Sequence, residues 1–146
     1  MNSFQVRPVD INDAKYIYDA RSSPKARRWL NTDPSPSYTR HLDWLRAYLK
    51  RYAQGLEYYY VIEYSDVKYG LFRLYNLDRI RSRIEFGSFY LASNRPKFSS
   101  SVTLEFAKKL ARELRVSEIH LTVHKENIAA ITVYSRAGFQ TYDYTE

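Results

Sequence analysis

The sequence predicts a mixed α/β (α+β) domain, a mostly antiparallel sheet with helices on its faces, in the order β-α-α-β-β-β-α-β-α-β. Three observations carry this. Apolar residues recur at helical spacing in separate stretches, such as Leu42, Leu45 and Leu49, or Val102, Phe106, Leu110 and Leu114. Between those stretches lie three strand-length runs rich in Tyr, Val, Ile and Phe, at Tyr58–Tyr64, Tyr69–Asn76 and Arg83–Leu91. The length of 146 residues, with 45% hydrophobic and 16% aromatic content, fits a single domain over residues 1–146 with a sizeable core.

The elements follow in order. Phe4–Pro8 alternates like a short strand, and Asp10, Asn12 and Asp13 supply cap chemistry for a helix through about Arg21. The segment Thr32–Ser37, rich in proline and capping residues, reads as a loop, and the second helix runs from about Ser37 to Tyr52. The three strand runs, separated by Asp66–Lys68 and Asp78–Arg81, form an antiparallel meander. Ser99–Arg115 is the long helix, its stripe widened by Ala107 and Ala111, with Glu105 early and Lys108, Lys109, Arg112 and Arg115 late, as the helix dipole prefers. Ile119–Val123 returns to period two. Asn127 then caps a last helix that Gly138 closes, and Phe139–Tyr144 reads as a final strand.

Composition excludes several chemistries. With no cysteine there is no disulfide framework, thiolate nucleophile or Cys-ligated metal. His120 and His124 lie four apart, a metal spacing only on a helix, and on a predicted strand they are ordinary sheet residues, so no metal site is expected. No apolar run reaches the ~18 residues of a membrane span, and Met1–Asp10 lacks the pattern of a leader. A cytoplasmic protein is the expectation. The +7 net charge is spread evenly, 12 Lys+Arg against 8 Asp+Glu in residues 1–73 and 11 against 8 in 74–146. Arginine outnumbers lysine 15 to 8, and its planar fork suits phosphate or carboxylate. Without a basic segment or binding motif, a nucleic-acid partner is the least supported reading.

The most specific stretch is Val123–Phe139. Asn127, Ala130, Tyr134, Arg136, Gly138 and Phe139 match N-x-x-A-x-x-x-Y-x-(K/R)-x-G-F at every spacing. This resembles the closing motif of the GNAT acyltransferase superfamily, and the element order resembles the GNAT fold over essentially the whole chain, with a splayed cleft between strands 4 and 5. The resemblance implies transfer of an acetyl group from acetyl-CoA to an amine by direct attack. It implies that Tyr134 is the general acid for the departing thiolate, and that Asn127 contacts the pantetheine arm. Read by themselves, the two are a helix cap and a packing tyrosine.

The family's pyrophosphate loop, (Q/R)-x-x-G-x-(G/A), aligns with Asn94–Ser99, where Lys97 and Ser99 replace both glycines and Pro96 removes a backbone donor. Arg95, Lys97, Phe98, Ser99 and Ser100 are the candidate cofactor contacts there, with cations, hydroxyls and free amides at a helix N-terminus as compensation. By position in the family, Phe89 and Leu91 contribute backbone contacts to the coenzyme, and Gly87 marks a bulge that splays the strand. Glu85 is the candidate general base; the alternative is a carboxylate paired with Arg73, Arg81 or Arg83.

On the acceptor side, Arg21–Trp29 followed by His41-Leu42-Asp43-Trp44 is similar to R-(N/S)-x-P-x-(V/A)-R … H-x-x-W of GNAT enzymes that acetylate nucleotide-linked amino sugars, as in pseudaminic-acid-type pathways. This makes Arg21, His41 and Trp44 candidate substrate contacts, with a core role for the tryptophans as the alternative. The expected protein is an acetyl-CoA-dependent N-acetyltransferase acting on a small-molecule amine. A protein N-terminus or lysine as acceptor, and a silent binding module with a degenerate coenzyme loop, are the alternatives. Family members are often dimers, which leaves a homodimer open.

Overall fold

The computed structural model describes residues 3–30 and 37–142. Strand β1, Phe4–Pro8, leads through a 3₁₀ turn at Ile11–Asp13 into helices α1 (Ala14–Arg21), α2 (Pro24–Trp29) and α3 (Tyr38–Ala53). Strands β2 (Tyr58–Tyr64), β3 (Val67–Asp78) and β4 (Arg83–Leu91) precede α4 (Ser99–Glu113), β5 (Glu118–His120) and α5 (Ile128–Arg136). The sheet order is β1-β2-β3-β4-β5, antiparallel except for the parallel β4–β5 pair.

Strand alternation sorts the core into two layers. Tyr60, Ile62, Phe72, Leu74, Ile84 and Phe86 face α4, whose Leu104, Ala107 and Ala111 cover them. Tyr59, Val61 and Leu71 face the opposite way, against Ala14, Ile17 and Ala20 of α1 and Leu45 and Tyr48 of α3. The Tyr48 hydroxyl accepts the Tyr59 amide at 2.6 Å, which sets α3 on the sheet.

The capping chemistry read from Asp10 and Asp13 is a capping box, and Asp13 does more than cap. Arg7 of β1 donates to both its carboxylate oxygens at 2.9 Å, and Lys68 of β3 reaches it at 2.7 Å. Burial opposes its ionisation, but those bonds and the Asp10 amide prevail and hold its pKa at about 2, against 3.8 ordinarily. A depressed carboxylate contributes stability above its unfolded pKa and loses it as pH falls through the folded one. Asp13 therefore contributes about 2 kcal/mol at neutral pH, lost between roughly pH 4 and pH 2. Asp13→Asn should melt at lower temperature at pH 7 and show a shallower decline over that acid range, both read by circular dichroism.

Three sequence expectations need correction. A separate helix, α2, occupies Pro24–Trp29, so three helices precede β2; Ser23 caps Ala26 through its hydroxyl, and Pro24 takes the first turn, where no amide partner is needed. Strand β5 stops at His120, short of Val123, because β4 offers it only Arg83, Ile84 and Glu85 as partners. The final strand is absent over residues 139–142: Phe139 packs on Tyr134 and Tyr142 on His120, with no ladder. Asp143 and Tyr144 lie outside the described residues, as does the Thr32–Pro36 part of the expected loop.

Candidate active site

The truncated β4–β5 pairing creates the site. Beyond Glu85, β4 continues to Leu91 with no strand on its β5 side among the described residues. The Ala92 amide bonds the Tyr69 carbonyl of β3 at 2.8 Å, so by strand alternation the Phe89 and Leu91 amides point the other way, into the gap. The outward carbonyl of Leu91 accepts a bond from Lys25 of α2 at 2.7 Å.

A bulge lies in the same stretch. From Arg73 to Leu71 β3 advances two residues while β4 advances three, from Gly87 to Tyr90. The bulge is at the expected place, but the left-handed residue is Ser88, with φ +51°, rather than Gly87.

At the far end of β4 a groove of about 580 Å³ runs between the β4–α4 loop and α5, lined by Arg95, Lys97, Phe98, Ser100, Arg136 and Ala137 among others. The backbone reversal in this loop is made by Phe98, left-handed at φ +71° and 70% exposed, between Lys97 and Ser99. Val102 takes the Phe98 carbonyl, which leaves the Ser100 and Ser101 amides without a backbone acceptor at the N-terminus of α4. Ser99 is buried, and its hydroxyl is spent on the Pro96 carbonyl at 2.6 Å, so of the expected serines Ser100 is the one that can still donate. Two exposed cations and two unused amides at a helix N-terminus fit a pyrophosphate without the glycines.

Tyr134 of α5 packs edge-on to Phe86 at 6.2 Å and beside Phe89 at 6.4 Å. Burial pushes its phenol up to about 12, so it stays protonated at neutral pH. Asn127 caps α5, its Oδ1 accepting the Ala130 amide at 3.2 Å; the Nδ2 group remains for another partner. Gly138 ends the helix turn at φ +97°, as the motif requires.

Glu85 sits half-buried on the opposite sheet face, next to the last β4–β5 pair, and accepts from Asn76 at 3.2 Å. Among the described residues it forms no ion pair with Arg73, Arg81 or Arg83: Arg73 bonds Glu57 and Ser88, and Arg81 bonds Asp78. The same face holds Trp44, with the Arg21 guanidinium 4.5 Å from the indole centroid. His41 is corrected. It is 1% exposed, its Nε2 lies 2.8 Å from the Ala14 carbonyl, and it stacks on Trp44, so it joins α3 to α1. His120 lies beside Glu118 and Tyr142, and among the described residues no group of three or more His, Cys, Asp or Glu could hold a metal.

A parallel pair that parts after three residues, a helix N-terminus facing the gap and a buried phenol beside it define an acyl-CoA-binding fold. The chain belongs to the acetyltransferase (GNAT) domain family, whose model matches residues 4–140, and is an acetyl-CoA-dependent N-acetyltransferase. It is 25% identical to the spermidine N(1)-acetyltransferase of Escherichia coli (strain K12) over 143 residues, 94% of this chain and 73% of the relative. Among solved structures it is similar to apo FdhC, a nucleotide-linked sugar GNAT, at 24% identity and a TM-score of 0.86, covering 99% of this chain and 83% of that one. The spermidine N-acetyltransferase of Vibrio cholerae in complex with CoA and spermine aligns at 20% identity and a TM-score of 0.83, covering 97% and 83%. No helix among the described residues is long and apolar enough to cross a membrane.

Proposed function

We propose that the chain acetylates the primary amine of a nucleotide-linked amino sugar. The observation that carries this is the acceptor side itself: Arg21 lies on Trp44, Arg28 lies 4.5 Å over Trp29, and Lys25 bonds the Leu91 carbonyl at the end of β4. Such a surface attracts a diphosphate and offers indoles to a sugar or base. A polyamine carries several positive charges and would meet like charge there. Of the carboxylates on that face, Glu57 is already claimed by Arg51 and Arg73.

Acetyl-CoA supplies an acyl carbon activated as a thioester. Glu85 takes the ammonium proton, through water, so that the free amine can attack; an amine of pKa ~10.4 is otherwise protonated at neutral pH. Tyr134 gives its proton to the departing thiolate. The Phe89 and Leu91 backbone and Asn127 Nδ2 hold the pantetheine arm, while Arg95, Lys97, Phe98 and the N-terminus of α4 hold the pyrophosphate end.

A panel of acceptors assayed by CoA release tests the reading: turnover is expected with nucleoside-diphosphate amino sugars and not with spermidine. Turnover with spermidine alone would replace it by the activity named for the Escherichia coli relative. Arg95→Ala with Lys97→Ala should weaken CoA binding about tenfold or more by calorimetry and flatten its salt dependence, since both charges are exposed and screened.

A further inference from the structure

Ser88 is a costly residue where it stands. Left-handed backbone penalises a side chain, and nothing in the bulge supplies a glycine at that position. Its hydroxyl accepts the Nε–H of Arg73 at 3.0 Å. The same guanidinium donates through Nη1 to Glu57 at 2.7 Å, and the other Glu57 oxygen accepts from Arg51, in the last turn of α3, at 2.8 Å. Arg73 also lies 4.5 Å over the Tyr75 ring. That ring covers the residue before the bulge: a Cβ on Gly87 would come within 2.8 Å of the Tyr75 hydroxyl.

From these contacts we infer that Arg73 is a positioning residue for the coenzyme cleft. It locks the β4 bulge by fixing Ser88 in its left-handed state, with Glu57 and Arg51 as the fixed anchor and Tyr75 as the clamp. The bulge changes which β4 amides face the gap, so the lock sets the direction of the Phe89 and Leu91 amides. The planar fork holds Ser88 and Glu57 through two separate N–H groups in fixed geometry, which a lysine's single ammonium nitrogen does not reproduce. The inference rests on the proposed role of those two amides as coenzyme contacts.

The test uses CoA itself and needs no acceptor. In the unaltered protein, adding CoA should shift the amide resonances of Phe89 and Leu91. Ser88→Ala, which deletes one oxygen, and Arg73→Lys, which keeps the charge beside Glu57, should each raise the calorimetric Kd for CoA about tenfold. The double variant should be no weaker than the weaker single, because both remove the same bond. Were Arg73 merely a stabiliser, Arg73→Lys would lower the melting temperature and leave the Kd alone. Should Arg73→Lys fail to fold, Ser88→Ala decides by itself. An unchanged Kd in Ser88→Ala, or singles whose effects multiply, overturns the inference while leaving the site intact. Resonances of Phe89 and Leu91 that ignore CoA overturn the proposed coenzyme contacts and the lock with them.

Discussion

Tyr134→Phe is expected to lower the maximal rate of amine acetylation by roughly 10²–10⁴ while leaving CoA affinity nearly unchanged. The ring keeps its packing on Phe86, Phe89 and Phe139, so the cleft wall survives the loss of one oxygen. What disappears is a proton held in place by burial, with a pKa of about 12, well above that of the thiol it serves. The thiolate would then depart unprotonated or borrow a proton from water. The measurement is the rate of thiol release under saturating acetyl-CoA and a turned-over acceptor. A variant as fast as the parent would remove Tyr134 from the chemistry and leave it a packing residue.

Phe72→Ala should cost about 3–5 kcal/mol in chemical denaturation. Phe72 is fully buried at the centre of the sheet, stacked between Tyr60 at 5.2 Å and Phe86 at 5.5 Å, with Phe106 of α4 edge-on at 6.5 Å. Its removal leaves a void that the three rigid rings around it cannot close by rotamer change. The damage is directional: Phe86 also abuts Tyr134, so the loosened stack reaches the phenol. An unfolding free energy lowered by less than about 1 kcal/mol would mean that α4 collapses onto the sheet more readily than this packing allows.

Periodicity made most of the fold legible. The boundaries of β1, β2 and β4 and the cap residues Asn127 and Gly138 could be read directly because each depends on a local pattern: alternation, or a residue whose side chain or conformational freedom suits one end of a helix. Helix α2 went unread, although Ser23 followed by Pro24 is a cap and first-turn pair, because six residues are too few to show a stripe. What could not be read depends on partners far along the chain. The extent of β5 is set by how long β4 stays beside it. The left-handed residues of the site are Ser88 and Phe98, neither a type that announces such a backbone. The His41 and Trp44 pair shows the same limit. Their spacing put both on one helix face, but only the position of α1 determines that His41 is sealed beneath it while Trp44 reaches the rim with Arg21.

The short α2 has a consequence for traffic. Lys25 ties it to the end of β4, and Trp29, 5.6 Å from the His124 ring, ties it to the segment beyond β5, so it bridges the diverging strands like a lintel. The groove beside α4 and α5 opens on one side of the sheet and the tryptophan-lined surface on the other. With the proposed binding surfaces, donor and acceptor arrive through separate doorways. A dead-end analogue of either one should leave the other's admission open, and the enzyme should work through a ternary complex whose two guests never queue for the same portal.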